Sequence, residues 1–127
     1  MGLELRRASE RVFDAVRVIA LALPGVEEGT LHGAPSLKVS GRLLTCPAIH
    51  KSVEPNSLVV RIGFEERQAL VAAQPSVYYL TDHYINYPAV LVRLSRIRRN
   101  ALRDLLSAAW RFVGLEGIGT TNRLTSR

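Results

Sequence analysis

The order of local patterns along the chain predicts an α+β domain, in which an antiparallel sheet of five or six strands is covered on one face by N- and C-terminal helices. Apolar residues recur at helical spacing near both ends of the chain and alternate at strand spacing between them. The resulting order is a helix, four short strands, a second helix, two strands and a last helix. Because helices and strands do not alternate one for one, a doubly wound parallel sheet is disfavoured.

An apolar stripe marks each terminal helix. The first helix is predicted over about 8–22, where the stripe is formed by Val12, Val16, Ile19 and Leu23, and Pro24 stops it. The last helix is predicted to start near 98–100 and to end near Gly114. Its stripe consists of five residues: Leu102, Leu105, Leu106, Ala109 and Val113. Trp110 follows this stripe, so its ring is expected to cover the core edge while its N–H reaches water or a carbonyl.

Short strands with alternating or continuous apolar residues fill the middle of the chain. Five of them are assigned ranges, at 36–40, 42–46, 57–62, 77–80 and 89–94. Ser40-Gly41 supplies a tight turn between the first two, and 64–73 is predicted to be a short helix with acids in its first turn. One core is therefore expected to bury Val16, Ile19, Leu58, Val60, Val90, Val92, Leu105 and Ala109.

The length of 127 residues has room for one domain, predicted over 1–116, and a flexible C-terminal tail is predicted over 117–127, which is polar and rich in Gly, Thr and Asn. The longest apolar run, around 16–23, is interrupted by Arg17 and falls well short of the roughly 20 residues that span a bilayer. No signal-peptide pattern is visible at the start. A cytoplasmic protein that does not enter the membrane is expected.

Five stretches carry a resemblance to a known family. They are 21–28 (LALPGVEE), 32–39 (HGAPSLKV), 81–84 (TDHY), 88–94 (PAVLVRL) and 109–111 (AWR). In this order and spacing the chain resembles the MmcQ/YjbR-like family of small bacterial proteins. The resemblance implies a compact α+β fold similar to that of frataxin-like (CyaY-type) proteins, and it brings no catalytic residue set. Members are commonly labelled DNA-binding, and many carry Gly-Trp where this chain has Tyr87-Pro88.

Arginine dominates the charge. The chain carries 17 basic residues, of which only Lys38 and Lys51 are lysine, and its net charge is +6. A cluster of five arginines lies around the start of the last helix: Arg93, Arg96, Arg98, Arg99 and Arg103. Arginine forks suit phosphate, so this cluster predicts a non-enzymatic domain that binds DNA through its backbone without strong sequence preference. The alternative is a solvated face on a protein from a GC-rich genome.

The segment 78–88 holds all four tyrosines together with an acid and a histidine. Its candidate ligand-binding residues are Tyr79, Asp82, His83, Tyr84 and Tyr87. Such a segment can stack a base or a flat ligand, which predicts, as an alternative function, a small-molecule or protein-interaction module. The competing interpretation is a loop pinned to the body by its own rings.

No motif for catalysis, a cofactor or a metal stands out. The sequence lacks a phosphate-binding Gly-rich loop, a dinucleotide fingerprint, a zinc-protease helix and a nucleophile elbow. Cys46, alone of its kind, lies on a predicted strand and is expected to be a small buried apolar residue. His32, His50 and His83 are separated by 18 and 33 residues, which is not the paired spacing of a zinc site. No catalytic residue, cofactor or metal is therefore expected.

Overall fold

The computed structural model describes residues 13–125, with side chains through Glu116. The elements in chain order are helix α1 (13–21), strands β1 (Val26–Leu31), β2 (Ala34–Val39), β3 (Arg42–Pro47) and β4 (Ser57–Arg61), helix α2 (Phe64–Ala73), strands β5 (Tyr78–Tyr79) and β6 (Ala89–Arg93), and helix α3 (Arg99–Thr125). The strands form one antiparallel sheet in the order β1-β2-β3-β4-β6-β5. The predicted fold class is confirmed.

Several element boundaries differ from the prediction, and strand β1 is not among the predicted ranges. Helix α3 continues to Thr125 and does not end near Gly114. Each of the glycines in this continuation, Gly114, Gly117 and Gly119, costs a helix only about 1 kcal/mol, and no proline follows to stop it. Strand β5 is reduced to Tyr78–Tyr79 instead of 77–80. Residues 8–12 of the predicted first helix lie outside the described residues, and the domain limit at 116 and the flexibility of 117–127 stay predictions.

Two-residue turns join the first three strands. His32 and Gly33 between β1 and β2 have φ values of 52° and 79°, and Ser40 and Gly41 between β2 and β3 have 52° and 75°. Positive φ at both central residues is the type I′ arrangement, which matches the twist of a tight hairpin. The predicted turn at Ser40-Gly41 is confirmed, and His32 is placed at the tip of the neighbouring one.

The main core lies between one face of the sheet and helices α1 and α3. All eight residues expected to share a core belong to it. The most exposed of them is Ile19, with only 9% of its surface accessible to solvent. Helix α1 contributes Phe13 and Val16, while α3 contributes its predicted stripe of Leu102, Leu105, Leu106, Ala109 and Val113. The two terminal helices therefore cover one face, which we call the helix-covered face, as predicted. The opposite side is called the second face.

An irregularity in β3 changes which side chains reach the second face. Leu37 pairs with Thr45 and Lys38 with Leu43, so Leu44 is an extra residue in the ladder. Leu44 is fully buried in the main core, and Thr45 lies opposite Val60 on the same face. The alternation then resumes with Cys46 opposite Val59 on the second face.

Trp110 connects α3 to the segment between α1 and β1. Its ring is half-buried against the main core, and its indole N–H donates to the carbonyl oxygen of Pro24 at 2.8 Å. The expectation that the ring covers the core edge while the N–H reaches a carbonyl is confirmed.

Replacing Trp110 should separate its packing from its hydrogen bond. Trp110→Ala is expected to lower the free energy of unfolding by about 2–3 kcal/mol, less than for a fully buried ring because part of this ring is exposed. Trp110→Phe retains most of the packing and should cost about 1 kcal/mol for the lost hydrogen bond. Equilibrium unfolding in urea measures both values. Equal costs for the two variants would contradict a packing role for the ring.

Candidate functional site

The second face of the sheet carries a smaller apolar cluster. Its buried members are Cys46, Val59, Ala89 and Leu91, which lie on the central strands β3, β4 and β6. The two loops 48–56 and 80–88 fold onto this cluster and contribute, among others, Val53 and Tyr84. The two loops therefore cover part of the second face, as the helices cover the opposite face.

A stack of two histidines joins these loops. The rings of His50 and His83 lie parallel, with centroids 3.6 Å apart and an interplanar angle of 10°. Tyr84 meets both rings edge-on, at 6.3 Å and 4.8 Å. The hydroxyls of Ser52 and Thr81 add a hydrogen bond of 2.9 Å between the same loops.

The hydrogen bonds of His50 indicate which of its nitrogens can donate. Its Nδ1 accepts the backbone N–H of Ser52 at 3.1 Å and also lies 2.7 Å from the Ser52 hydroxyl. A neutral imidazole that accepts at Nδ1 carries its proton on Nε2. Desolvation, together with the charges of His83 and Lys51, lowers the pKa of His50 below its ordinary value of 6.5, which favours the neutral ring.

Beside the histidine stack the second face opens into a cavity of about 480 Å³. Six polar or aromatic side chains line it: His32, His50, Arg61, His83, Tyr84 and Tyr87. The remaining wall is apolar and includes Leu31, Ala34, Leu43, Cys46, Val59 and Ala89. The three histidines that looked unrelated in the sequence thus surround one space, although no group of three His, Cys, Asp or Glu among the described residues is arranged to hold a metal ion.

The candidate ligand-binding residues of 78–88 divide into two groups. His83, Tyr84 and Tyr87 line the cavity, whereas Tyr79 and Asp82 do not. The lining residues that sequence reasoning missed include His50 and Arg61, which lie far from the tyrosine segment along the chain. The alternation of 57–62 indicates only that Arg61 shares a strand face with Val59. The pairing of β4 with β6 and the fold of loop 48–56 bring both residues beside the tyrosine segment, and no local pattern indicates that.

Tyr79 anchors a network at the other end of the second face. Its hydroxyl accepts the backbone N–H of Glu54 at 2.9 Å and hydrogen bonds the Ser57 hydroxyl. The guanidinium of Arg93 lies over its ring at 4.2 Å and donates to both carboxylate oxygens of Glu54. Arg93 also donates to the carbonyl of Pro75 at 3.0 Å. The hydrogen bonds from Arg93 to Glu54 lower the pKa of that carboxyl group. The Arg93 guanidinium is therefore already occupied by partners within the domain.

The other four arginines of the predicted cluster are placed differently. Arg96 follows β6, Arg98 and Arg99 stand at the start of α3, and Arg103 lies one helical turn further on. All four are exposed, and their side chains form no ion pair or hydrogen bond within residues 13–116. The first turn of α3 contains no acid. Asp104 acts on Tyr78 instead, whose pKa is raised by burial and, to a smaller extent, by that carboxylate.

Cys46 has the character expected from the sequence. It is 7% exposed, and burial raises the pKa of its thiol to about 11, so the nucleophilic thiolate is scarce at neutral pH. The interpretation as a small buried apolar residue is confirmed. Within the part of the chain that the structure describes, none of the helices combines the length and apolar character needed to cross a membrane.

The fold and these two surfaces define a small α+β domain with both terminal helices on one side of a six-stranded sheet. The YjbR family model matches residues 21–112, well over half of the chain, and the protein belongs to that family. The resemblance drawn from the sequence is therefore confirmed.

A solved structure has a similar fold. It is the Deinococcus radiodurans protein DR2400, a DUF419 domain, with a TM-score of 0.67 over 82% of this chain and 79% of that one. At 22% identity the likeness concerns the fold alone.

Curated relatives from mycobacteria match a shorter stretch. Uncharacterized protein Rv2570 of Mycobacterium tuberculosis and uncharacterized protein Mb2600 of Mycobacterium bovis are 50% identical to the chain over 42 residues. The match spans a third of this chain and 33% of the length of each relative.

Acidification should weaken the contact between the two loops. The pKa of His50 is lower in the folded than in the unfolded chain, so the folded state binds fewer protons, and stability present above about pH 6.5 is lost as the pH falls. The melting temperature of the wild type should therefore drop between pH 7.5 and 5, and His50→Gln should flatten this dependence. His32→Asn, which keeps a residue tolerant of positive φ at the hairpin tip, is the control and should behave like the wild type. An unchanged pH dependence in His50→Gln would contradict the role of the stack.

Proposed function

We propose that this YjbR domain binds nucleic acid through its phosphate backbone, using Arg96, Arg98, Arg99 and Arg103. One observation carries the proposal: these four guanidinium groups are exposed and form no ion pair with the described carboxylates, although the charge of Arg96 contributes to lowering the pKa of Glu54. Three arginines elsewhere are held differently, since Arg17 and Arg61 bond acids and Arg93 bonds Glu54. The proposed contact set therefore leaves Arg93 out.

Electrostatics at the start of α3 favour an anion. The N-terminal end of a helix carries a partial positive charge and backbone N–H groups without intrahelical partners. Acids in the first turn normally offset that charge, and here they are absent while Arg99 and Asn100 open the helix. Cations at this position are unfavourable by themselves, so a bound phosphate would relieve repulsion between the arginines and the helix end.

The proposed binding is insensitive to sequence because the contacts available are to phosphate. Arginine forks that meet phosphate oxygens fix a protein on a duplex without reading bases. Stacking of exposed bases needs a free aromatic face, and the Tyr79 ring near this end of the sheet is covered by Arg93. Two arginines on central strands of the sheet, Arg61 on β4 and Arg93 on β6, are bonded to Glu116 and Glu54.

Replacing two arginines on one helix face tests the proposal. The Arg99→Ala/Arg103→Ala double variant should weaken binding to unrelated duplexes about equally and reduce the slope of log K against log salt by up to about two. Fluorescence anisotropy with two labelled duplexes of different sequence, over a series of salt concentrations, measures both effects. Arg111→Ala removes an exposed arginine further along α3 and is the matched control. Parent-like binding by the double variant, or an equal loss in Arg111→Ala, would contradict the proposal.

A second candidate function, the binding of a small molecule, is favoured by one observation. The cavity on the second face has the size of a ligand site and is lined by His83, Tyr84 and Tyr87 of the tyrosine segment. None of the four arginines lines this cavity, so mutations can test the two functions separately.

A further inference from the structure

The cavity on the second face has the dimensions and the lining of a ligand site. Its volume of about 480 Å³ falls within the range of roughly 300–1,000 Å³ that small-molecule sites occupy. Strands β1 to β4 and β6 supply its floor, and loops 48–56 and 80–88 supply one side. Two large side chains at its margin, Ile49 and Tyr87, remain 63% and 57% exposed. Their exposure leaves apolar surface that a ligand in the cavity would cover.

The charges around the cavity argue against an ionic ligand. Among the described residues its lining contains no Asp or Glu. Arg61 lines it, but that guanidinium donates to both carboxylate oxygens of Glu116, at 3.0 and 2.8 Å, and to the carbonyl of Pro88 at 3.1 Å. A carboxylate therefore already occupies the place that an anionic ligand would take. A buried charge without a partner is costly, so a neutral ligand fits this lining best.

The hydrogen-bonding and aromatic groups narrow the ligand further. His50 lines the cavity with Nδ1 already bonded to Ser52, so the neutral ring has an Nε2–H to donate. Tyr84 stands edge-on to both histidines, and Tyr87 lines the same cavity. An aromatic ring of a ligand can pack against the edges and faces of these tyrosine rings. The arrangement suits a flat apolar group that bears a hydrogen-bond acceptor.

We propose that this cavity binds a neutral, mostly apolar small molecule with an aromatic ring and one hydrogen-bond acceptor that takes its bond from His50. The inference rests on the second candidate function and specifies the chemical class of its ligand. The apolar wall of Leu31, Leu43 and Val59 buries the ring, and the histidine stack holds the loop that carries the donor.

Two probes of nearly equal size test the ligand class. Acetophenone is neutral with one acceptor, and benzoate is its anionic counterpart. In titrations followed by amide ¹H–¹⁵N spectra, acetophenone should shift residues of 48–50 and 83–87 saturably, and benzoate should bind at least about tenfold more weakly, a difference of about 1.4 kcal/mol. Tighter binding of benzoate would overturn the neutral class alone. The absence of saturable binding by either probe would overturn small-molecule binding here altogether.

A cavity-filling variant tests the location. Ala34 is the first residue of β2 and lines the cavity. Ala34→Trp should abolish the acetophenone shifts because the indole ring would occupy the space. Thr30→Trp adds the same ring to the neighbouring strand at an exposed position outside the lining and should leave binding intact. A native-like amide spectrum away from the cavity verifies that Ala34→Trp is folded. Retained acetophenone binding in Ala34→Trp, or its loss in Thr30→Trp, would contradict the proposed site.

Discussion

The pairing of β4 with β6 is the constraint on which the rest of the structure depends, because both strands are apolar on both faces. Leu58 and Val60 pair with Val92 and Val90 toward the helices, while Val59 pairs with Leu91 on the opposite side. Strands of this kind must be covered twice. Helices α1 and α3 cover one face, so the loops beside these strands have to shield the other.

The loops achieve this cover mainly through polar and ring contacts. The His50–His83 stack ties one loop to the other, and the hydroxyl of Tyr79 holds the backbone of Glu54. From α2, buried Arg67 donates to the carbonyl of Tyr87 at 2.7 Å and fixes the end of the second loop. Such contacts hold the loops in place at a few positions and leave unfilled space between those positions. The cavity is the part of the second face that such cover does not fill.

Periodicity was sufficient to predict what depends on local spacing. The stripe of α3 and the alternation of β4 identify the core, and the arginines cluster visibly because they are close in sequence. Strand β1 had no pattern of its own, since Glu27, Glu28 and Gly29 occupy its middle and its pairing with β2 decides its conformation. The His50–His83 stack joins residues 33 apart, and the extra residue Leu44 redirects Cys46. Both depend on tertiary packing, which no window of sequence contains.

The positive surface at the start of α3 results from where the acids lie as much as from the arginines. Four of the chain's 11 acids, Asp14, Glu28, Glu54 and Glu116, are bonded to arginines that hold loops or helices in place. Asp104, the acid nearest to the cluster in sequence, acts on Tyr78. The arginines bonded to these acids are therefore neutralised, and charge without an ion pair accumulates where the helix end is itself positive. The cavity wall differs from this surface, because the guanidinium of Arg61 that lines it is already paired with Glu116. Charge and apolar surface are thus separated onto two parts of a small domain.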